Sequence, residues 1–361
     1  MKAGWAKTPF EECIEKVTYT SKIKRKDFLG QGEYPIISQE YDFVNGYWDN
    51  EADLFQVTTP IVVFGDHTKV FKYVDFDFVL GADGVKILQP REFLLPRFFY
   101  YQLHAANLDS LGYARHYRLL KELEIAYPPL PEQERIVVIL DEAFEGIANA
   151  KANAGKNLQN ARALFESHLN AVFTQRGEGW VETTINKLST NLDSKRVPIT
   201  KSDRINGEYP YYGASCIVDY VSDYIFEGDT LLVSEDGANL LARSTPIAFS
   251  VSGKYWVNNH AHILKFESMS TQRFVEFYLE SIKLDEYITG AAQPKLNQKA
   301  LNSIPVSIPK SVEAQARIVG DIESLLTQTQ RLESIYQQKL DALDELKKSL
   351  LHQAFTGGLT S

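Results

Sequence analysis

Cysteine is nearly missing: Cys13 and Cys216 are the two in a chain of 361 residues. Two thiols cannot build a disulfide framework or, alone, a thiolate metal site, and such scarcity fits a reducing compartment, so a cytoplasmic location is expected. Long apolar runs are missing as well. No stretch approaches the ~18 consecutive apolar residues of a spanning helix. The start, Met1 to Phe10, reaches Glu11-Glu12 without the apolar core of a signal peptide. No membrane partner is expected. Excess positive charge is absent too: 38 Lys and Arg against 47 Asp and Glu leave a formal charge of −9, which argues against indiscriminate capture of nucleic acid. The remainder, 44% hydrophobic and 24% charged, excludes disordered and fibrous classes. At roughly 150 residues per domain the length allows two or three domains.

Catalytic motifs are missing in turn. No Gly-x-x-x-x-Gly-Lys-[Ser/Thr] loop is present to cradle phosphates. Tyr127-Pro128-Pro129-Leu130 lacks the Asn or Asp that would accept an amine in an amino-methyltransferase, and reads as a strand-to-helix connection. Gly213-Ala-Ser215-Cys-Ile lacks the closing glycine of a nucleophile elbow. His260-Ala-His262 has no acid or cysteine spaced for a metal, and Gly84-Val-Lys86 stands opposite it in the first half, so a structural role is expected. Asp75 with Asp77, and Glu235 with Asp236, lack the companion lysine of a metal-dependent nuclease and read as turn or polar-network residues. The chain is expected to recognise rather than react: not an enzyme, with no catalytic residue, metal or cofactor of its own.

What is present is a repeat. Gly4-Trp5 recurs as Gly179-Trp180, and Gly32-Glu33-Tyr34-Pro35 as Gly207-Glu208-Tyr209-Pro210, both 175 residues later. Gly112-x-Ala114 with Lys121-x-Leu123 recurs as Gly290-x-Ala292 with Lys299-x-Leu301, at an offset of 178. Gln133-x-Arg135-Ile136-Val137 recurs as Gln315-x-Arg317-Ile318-Val319, and Phe173-Thr174 as Phe355-Thr356, at 182. An ordered series with so little drift means two copies of a domain-sized unit. Residues 1–130 and 177–309 carry short alternating runs such as Thr58–Phe64 and Thr230–Ser234, which predict strands of a mixed sheet. Shorter helices are predicted around Pro96–Leu103 and Thr271–Ile282.

Residues 131–176 and 310–361 differ in texture. Ile136, Leu140, Ile147, Leu158 and Phe165 keep helical spacing in the first, and Ile318, Ile322, Leu332, Leu343 and Leu350 in the second. Pro131 suits a first helical turn, while Gly177 and Gly357-Gly358 suit positions past the ends. Two long helices, each roughly 40 residues and about 60 Å, are expected to pair as an antiparallel coiled coil that holds two heads apart.

Recognition has three candidate places. Basic clusters precede both Gly-Glu-Tyr-Pro copies: Lys22, Lys24, Arg25 and Lys26 in one, Lys195, Arg196, Lys201 and Arg204 in the other. Lys24, Arg25, Lys195 and Arg196 are expected to contact phosphate. Tyrosines follow, among them Tyr34, Tyr41, Tyr209 and Tyr211, as base contacts or as buried strand aromatics. Ala114-Arg115-His116-Tyr117-Arg118 and Ala292-Gln293-Pro294-Lys295-Leu296-Asn297 offer donors before the long helices. Gly65-Asp66-His67-Thr68-Lys69 and Asp236-Gly237-Ala238-Asn239 are polar turns suited to base contacts or to plain turn geometry.

These residues resemble the DNA-specificity subunit of type I restriction–modification enzymes over nearly the whole chain. The most specific elements are Gly207–Ser215, Gly228–Gly237, Gln293-Pro-Lys-Leu-Asn297 and Pro128–Ile136, with Val63–Thr68 and Gly81-Ala-Asp-Gly84 in the first copy. Two places depart from the pattern: Ile308–Gln315 at the second helix, and Ala114–Arg118 where Gln-x-Lys-Leu-Asn is common. The resemblance implies an α+β fold in a pseudo-two-fold arrangement. Target-recognition domains at 1–130 and 177–309 would each read one half of a bipartite double-stranded DNA site. Helices at 131–176 and 310–361 would set the spacer and dock two methyltransferase subunits carrying S-adenosylmethionine, with a restriction/translocase subunit as further partner. The alternative is a coiled-coil adaptor whose duplicated heads do not bind DNA.

Overall fold

The computed structural model describes residues 4–82, 84–106, 108–109, 111–112, 114–290, 292–356 and 358. Asp83 of the Gly81–Gly84 motif and Gly357 of the expected helix stop lie outside the described residues. The chain divides into two compact units, Met1–Gly155 with Gln338–Ser361, and Lys156–Gln337. Each unit thus contains one head together with a segment of both long helices, whereas the sequence reading set the helices apart as segments of their own.

In the first unit, Ile61–Gly65 is the central strand of a three-stranded antiparallel sheet, flanked by Phe71–Val74 and Val85–Leu88. Its residues are buried throughout, as a continuous apolar run requires when both faces are covered. Alternation divides the burial. Val62 and Phe64 join Phe98, Phe99, Ile136 and Leu140, while Ile61 and Val63 join Ile37, Val74, Phe78 and Leu80. A second sheet runs Lys22–Ile23, Phe78–Gly81, Tyr34–Ile37, Gly46–Trp48, with Leu54–Phe55 also on Phe78–Gly81. At the foot of the head, Ala6–Pro9 pairs antiparallel with Glu124–Tyr127, which leads into the first long helix.

The second unit repeats this plan. Thr230–Ser234 is flanked by Ala248–Val251 and Ala261–Phe266. Leu231 and Val233 face Phe274, Leu301 and Ile322, and Leu232 faces Phe226, Tyr255 and Ile263. Tyr209–Tyr212 pairs parallel with Lys254–Val257, as Tyr34–Ile37 does with Phe78–Gly81. Trp180–Thr184 with Pro305–Pro309 forms the foot. The duplication in sequence is therefore one of topology, and each head is the mixed α/β domain expected.

The long helices are Leu130–Thr174 and Val312–Thr356, 45 residues each. Gly155 leaves the first one unbroken. In the first unit Ile136, Leu140 and Phe144 share a core with Leu350, Leu351 and Ala354, and Lys151 pairs with Asp344 at 2.6 Å. In the second unit Phe165, Leu169 and Phe173 share one with Val319, Ile322 and Leu326, and Arg162 pairs with Glu333 at 2.7 Å. Early residues of one helix meet late residues of the other, so they run antiparallel. Ile147 is buried and Leu158, Ile318 and Leu343 are half-buried. Leu332 is a correction: it is 41% exposed. From Ile322 the inward face steps through Leu326, buried Thr329 and Glu333, and Leu332 lies one residue, about 100°, off it.

The recurring glutamines fasten each head to its helix. Gln133, fully buried, accepts from the Leu95 amide at 2.8 Å and donates to the Phe93 and Pro128 carbonyls at 2.8 and 2.9 Å. Gln315 donates to the Pro309 carbonyl at 2.7 Å and accepts from the Thr271 hydroxyl at 2.6 Å. Beside them, Arg97 meets Asp141 at 3.1 Å and Arg273 meets Glu323 at 2.9 Å.

Candidate nucleic-acid interface

In each head three connections converge at the end of the central strand. In the first head these are the hairpin loop Ser38–Asn45, the turn Asp66–Lys69, and the loop before the helix Tyr117–Lys121. Gln39 takes the His67 amide on its side chain at 3.3 Å and the Thr68 hydroxyl on its carbonyl at 2.5 Å. Asp66 accepts the His116 amide on its carbonyl at 2.8 Å and the Tyr117 amide on its carboxylate at 2.6 Å. Buried His116 donates from Nδ1 to the Asp66 carbonyl at 3.0 Å and accepts the Leu111 amide on Nε2 at 3.0 Å. Gly84, at φ +78°, is required here, because a Cβ would stand 2.4 Å from Gln39 Oε1.

The candidate residues of this head distribute around that junction. Lys24, Arg25 and Lys26 are exposed around the turn Arg25–Asp27 and form no ion pair among the described residues. Lys22 donates to the Val85 carbonyl at 3.1 Å and sits 4.7 Å from the Tyr19 ring. Lys69 adopts a left-handed φ of 62° and donates to the Leu108 carbonyl at 3.3 Å. His67 and Tyr34 are half-buried, while Arg115 and Arg118 are exposed.

In the second head the matching connections are Gly213–Cys216, Glu235–Asn239 and Gln293–Asn297. Ser234 donates to the Ala214 carbonyl at 2.5 Å, the Leu296 amide to the Glu235 carbonyl at 2.8 Å, and the Gly237 amide to the Pro294 carbonyl at 3.0 Å. Asn239 secures its own loop, donating to the Thr245 carbonyl at 2.9 Å and accepting its amide at 3.0 Å. Asn297 caps the helix Gln298–Ser303 through the Ala300 amide at 3.0 Å. Lys195, Lys201 and Gln293 are exposed, and half-buried Tyr209 packs on Tyr224.

Two expectations are corrected here. Arg196 does not face outward: its side chain is 14% exposed, 2.6 Å from Glu235 and 2.8 Å from the Ala261 carbonyl. Tyr211 is fully buried beneath the Arg204 guanidinium, which lies 4.4 Å from its ring, and its hydroxyl takes the Ile199 amide. Short basic and aromatic runs do not reveal which members turn inward.

Arg196 belongs to a charged network that joins two of these connections, Glu235–Asn239 and Gln293–Asn297. Buried His262 faces Asp193 through Nδ1 at 2.5 Å and the Leu296 carbonyl through Nε2 at 2.7 Å. The ring is thereby held between two acceptors, a carboxylate and a backbone carbonyl. Asp193 also takes the Ile263 amide at 2.9 Å, and Lys295 meets Glu235 at 3.0 Å. Burial opposes the charge of Asp193, but the hydrogen bond and charge of His262 hold its carboxyl below the ordinary range. Glu235 behaves likewise, with Arg196 and Lys295 outweighing burial. Asp193, Glu235 and His262 offer ligand atoms within 4.8 Å of one another. Their lone pairs are nevertheless turned to internal donors, and Arg196 and Lys295 already balance the two carboxylates. The residues fit a structural network better than a metal centre. Spacing along the sequence missed it, because Asp193 and Glu235 lie 69 and 27 residues before His262.

A sequence profile of the type I restriction modification DNA specificity domain matches residues 3–155 and again 177–342, once per head. The chain belongs to this family. Particular relatives agree. A type I restriction enzyme specificity subunit of Haemophilus influenzae is 31% identical over 182 residues, 45% of this chain and 46% of the relative. The EcoR124I/EcoR124II specificity subunit of Escherichia coli is 27% identical over 154 residues, 38% of each. The chain therefore spans less than half the length of these two relatives. Among solved structures, one from work on complex assembly and conformational transition of the type I R-M system aligns with a TM-score of 0.74 at 14% identity, covering 98% of both chains. The HsdS subunit of Thermoanaerobacter tengcongensis aligns at 0.58 and 15%, covering 99% of this chain and 98% of that one. At these identities the likeness is one of fold. Among the described residues, no helix is long and apolar enough to cross a membrane.

Proposed function

We propose that this chain is the DNA-specificity subunit of a type I restriction–modification enzyme, each head reading one half of a bipartite double-stranded site. The observation that carries the reading is the double match of the specificity domain, one copy per head, combined with loop clusters of like topology and unlike side chains. Unlike loops on a repeated frame predict unlike half-sites. The net charge of −9 is no obstacle, because two methyltransferase subunits would supply much of the phosphate contact. Those partners, holding S-adenosylmethionine, would modify adenine, and a restriction/translocase subunit would join them. The chain itself contributes recognition and no chemistry.

Co-expression with the cognate methyltransferase subunit, followed by a genome-wide map of adenine methylation, tests this. The expected result is a split motif with two unlike halves and a fixed gap. Unmethylated DNA from an assembled complex would move the reading to the adaptor. Inserting four residues after Ala154 tests the helices as the spacer device: the gap should lengthen while both halves stay unchanged, and a constant gap would sink that role.

A further inference from the structure

The hairpin loop of the first head differs in kind from its counterpart. Ser38–Asn45 has eight residues between its strands, whereas Gly213–Cys216 has four. At its tip Tyr41 is 82% exposed, the most exposed large apolar side chain among the described residues. Directly beneath, Lys72 is 3% exposed. Its ammonium donates to the Asp42 carbonyl at 2.5 Å, the Asn45 side-chain oxygen at 2.9 Å and the Phe43 carbonyl at 3.3 Å. Asn45 ties the loop further, accepting the Ser38 amide at 2.8 Å and donating to the Asp42 carbonyl at 2.9 Å.

Burying an ammonium is unfavourable, and it is tolerated here to fix a loop whose tip touches little of its own protein. The base of that loop is Gln39, which holds the turn carrying His67 and Lys69. Through Asp66 that turn holds the loop carrying Arg115. Tyr41 therefore stands on the same loop cluster as the candidate DNA contacts. Exposed Asp42 beside it is disfavoured along a phosphate strand but can accept from a cytosine amino group on the floor of the major groove. There a tyrosine ring packs on a thymine methyl or on an opened base step.

We propose that Ser38–Asn45 is a base-reading finger of the first head, with Tyr41 entering a DNA groove and Lys72 as the positioning residue that holds the finger in shape. The proposal rests on the specificity-subunit reading above and assigns one determinant within it. Burial draws the Lys72 ammonium down to about 8, against the pull of the facing Glu40 and Asp42 carboxylates. Once neutral it has two donors for three acceptors, so the finger should loosen as pH rises past about 8.

The experiment compares the wild-type chain, Y41A, Y41F and K72M, each assembled with the cognate methyltransferase subunit, by methylation mapping and by binding to DNA altered in one half-site. Y41A should lower discrimination by about tenfold at one or more positions of one half and leave the other half intact, while Y41F should retain it. K72M should relax the same positions although Tyr41 is present. Wild-type discrimination at that half should fall above pH 8, and the K72M profile should be flat. Y41A with wild-type discrimination in both halves overturns the finger, as does an equal loss in both. A wild-type chain that yields no split motif overturns the specificity reading itself, a distinguishable failure.

Discussion

The two heads share a frame and differ in what stiffens their loops. In the first, Asp66 and His116 bind backbone groups, and one buried lysine organises a long hairpin loop. In the second, the hairpin loop is short, and five side chains, Asp193, Arg196, Glu235, His262 and Lys295, lock the other connections together. The central strand pairings, foot sheet and glutamine fastening are kept in both, while Lys22–Ile23 extends a sheet only in the first head and Ser189–Asn191 only in the second. The difference therefore lies in the loop clusters, and the likeness lies where the core is packed. A duplicated scaffold can hold different loop surfaces provided each surface brings its own internal support.

The largest expected effect comes from cutting that support in the second head. Asp193→Ala leaves the buried His262 Nδ1 and the Ile263 amide without their acceptor and should cost about 3–5 kcal/mol. Hydrogen exchange should quicken along Ala261–Phe266 and stay unchanged in the first head; an unchanged second head would refute the network's role. Gln133→Ala and Gln315→Ala should each cost about 1–3 kcal/mol, measured by denaturant unfolding. Strongly unequal losses would break the equivalence of the two fastenings.

Acid should separate the heads next. Asp193 and Glu235 are held below the ordinary carboxylate range, so their contribution is complete above about pH 4–5 and is lost as pH falls through their folded values. Half-buried Glu280, whose carboxyl is raised by burial, works in the opposite direction and offsets part of this loss. The second head should soften first on acidification, followed by its tyrosine fluorescence or amide exchange, and Asp193→Ala should erase the lead. The smallest effect concerns free surface charge. Replacing Lys24, Arg25 and Lys26 by Ala should flatten the salt dependence of DNA binding by about 0.9 in logarithmic slope per lost phosphate contact. Replacing Lys195 and Lys201 should flatten it less, since Arg196 is turned inward. An unchanged slope in both would remove these clusters from the interface.

Much of the frame was legible in the sequence, because repeats, helical periodicity and buried strands are local patterns. Gln133 and Gln315 stood out at equal offsets before their hydrogen bonds were visible. The loop surfaces were less legible. Lys24 and Arg196 look alike in a basic run, yet one is exposed and the other is enclosed by carboxylates that join it only in the fold. Leu332 fits a leucine spacing, but cumulative helical phase gives its place to Thr329 and Glu333. Tyr41 and Tyr211 each follow a Gly-Glu-Tyr-Pro copy and have opposite environments, decided by which strand or loop carries them.

The division of the long helices between units bears on synthesis. The second unit is one continuous stretch, Lys156–Gln337, and can complete its core as soon as that stretch is made. The first cannot: Phe98, Ile136 and Leu140 pack with Leu351 and Ala354, which leave the ribosome more than 200 residues after Leu140. The head made first is thus finished last, and until then its helix face is exposed to wrong partners.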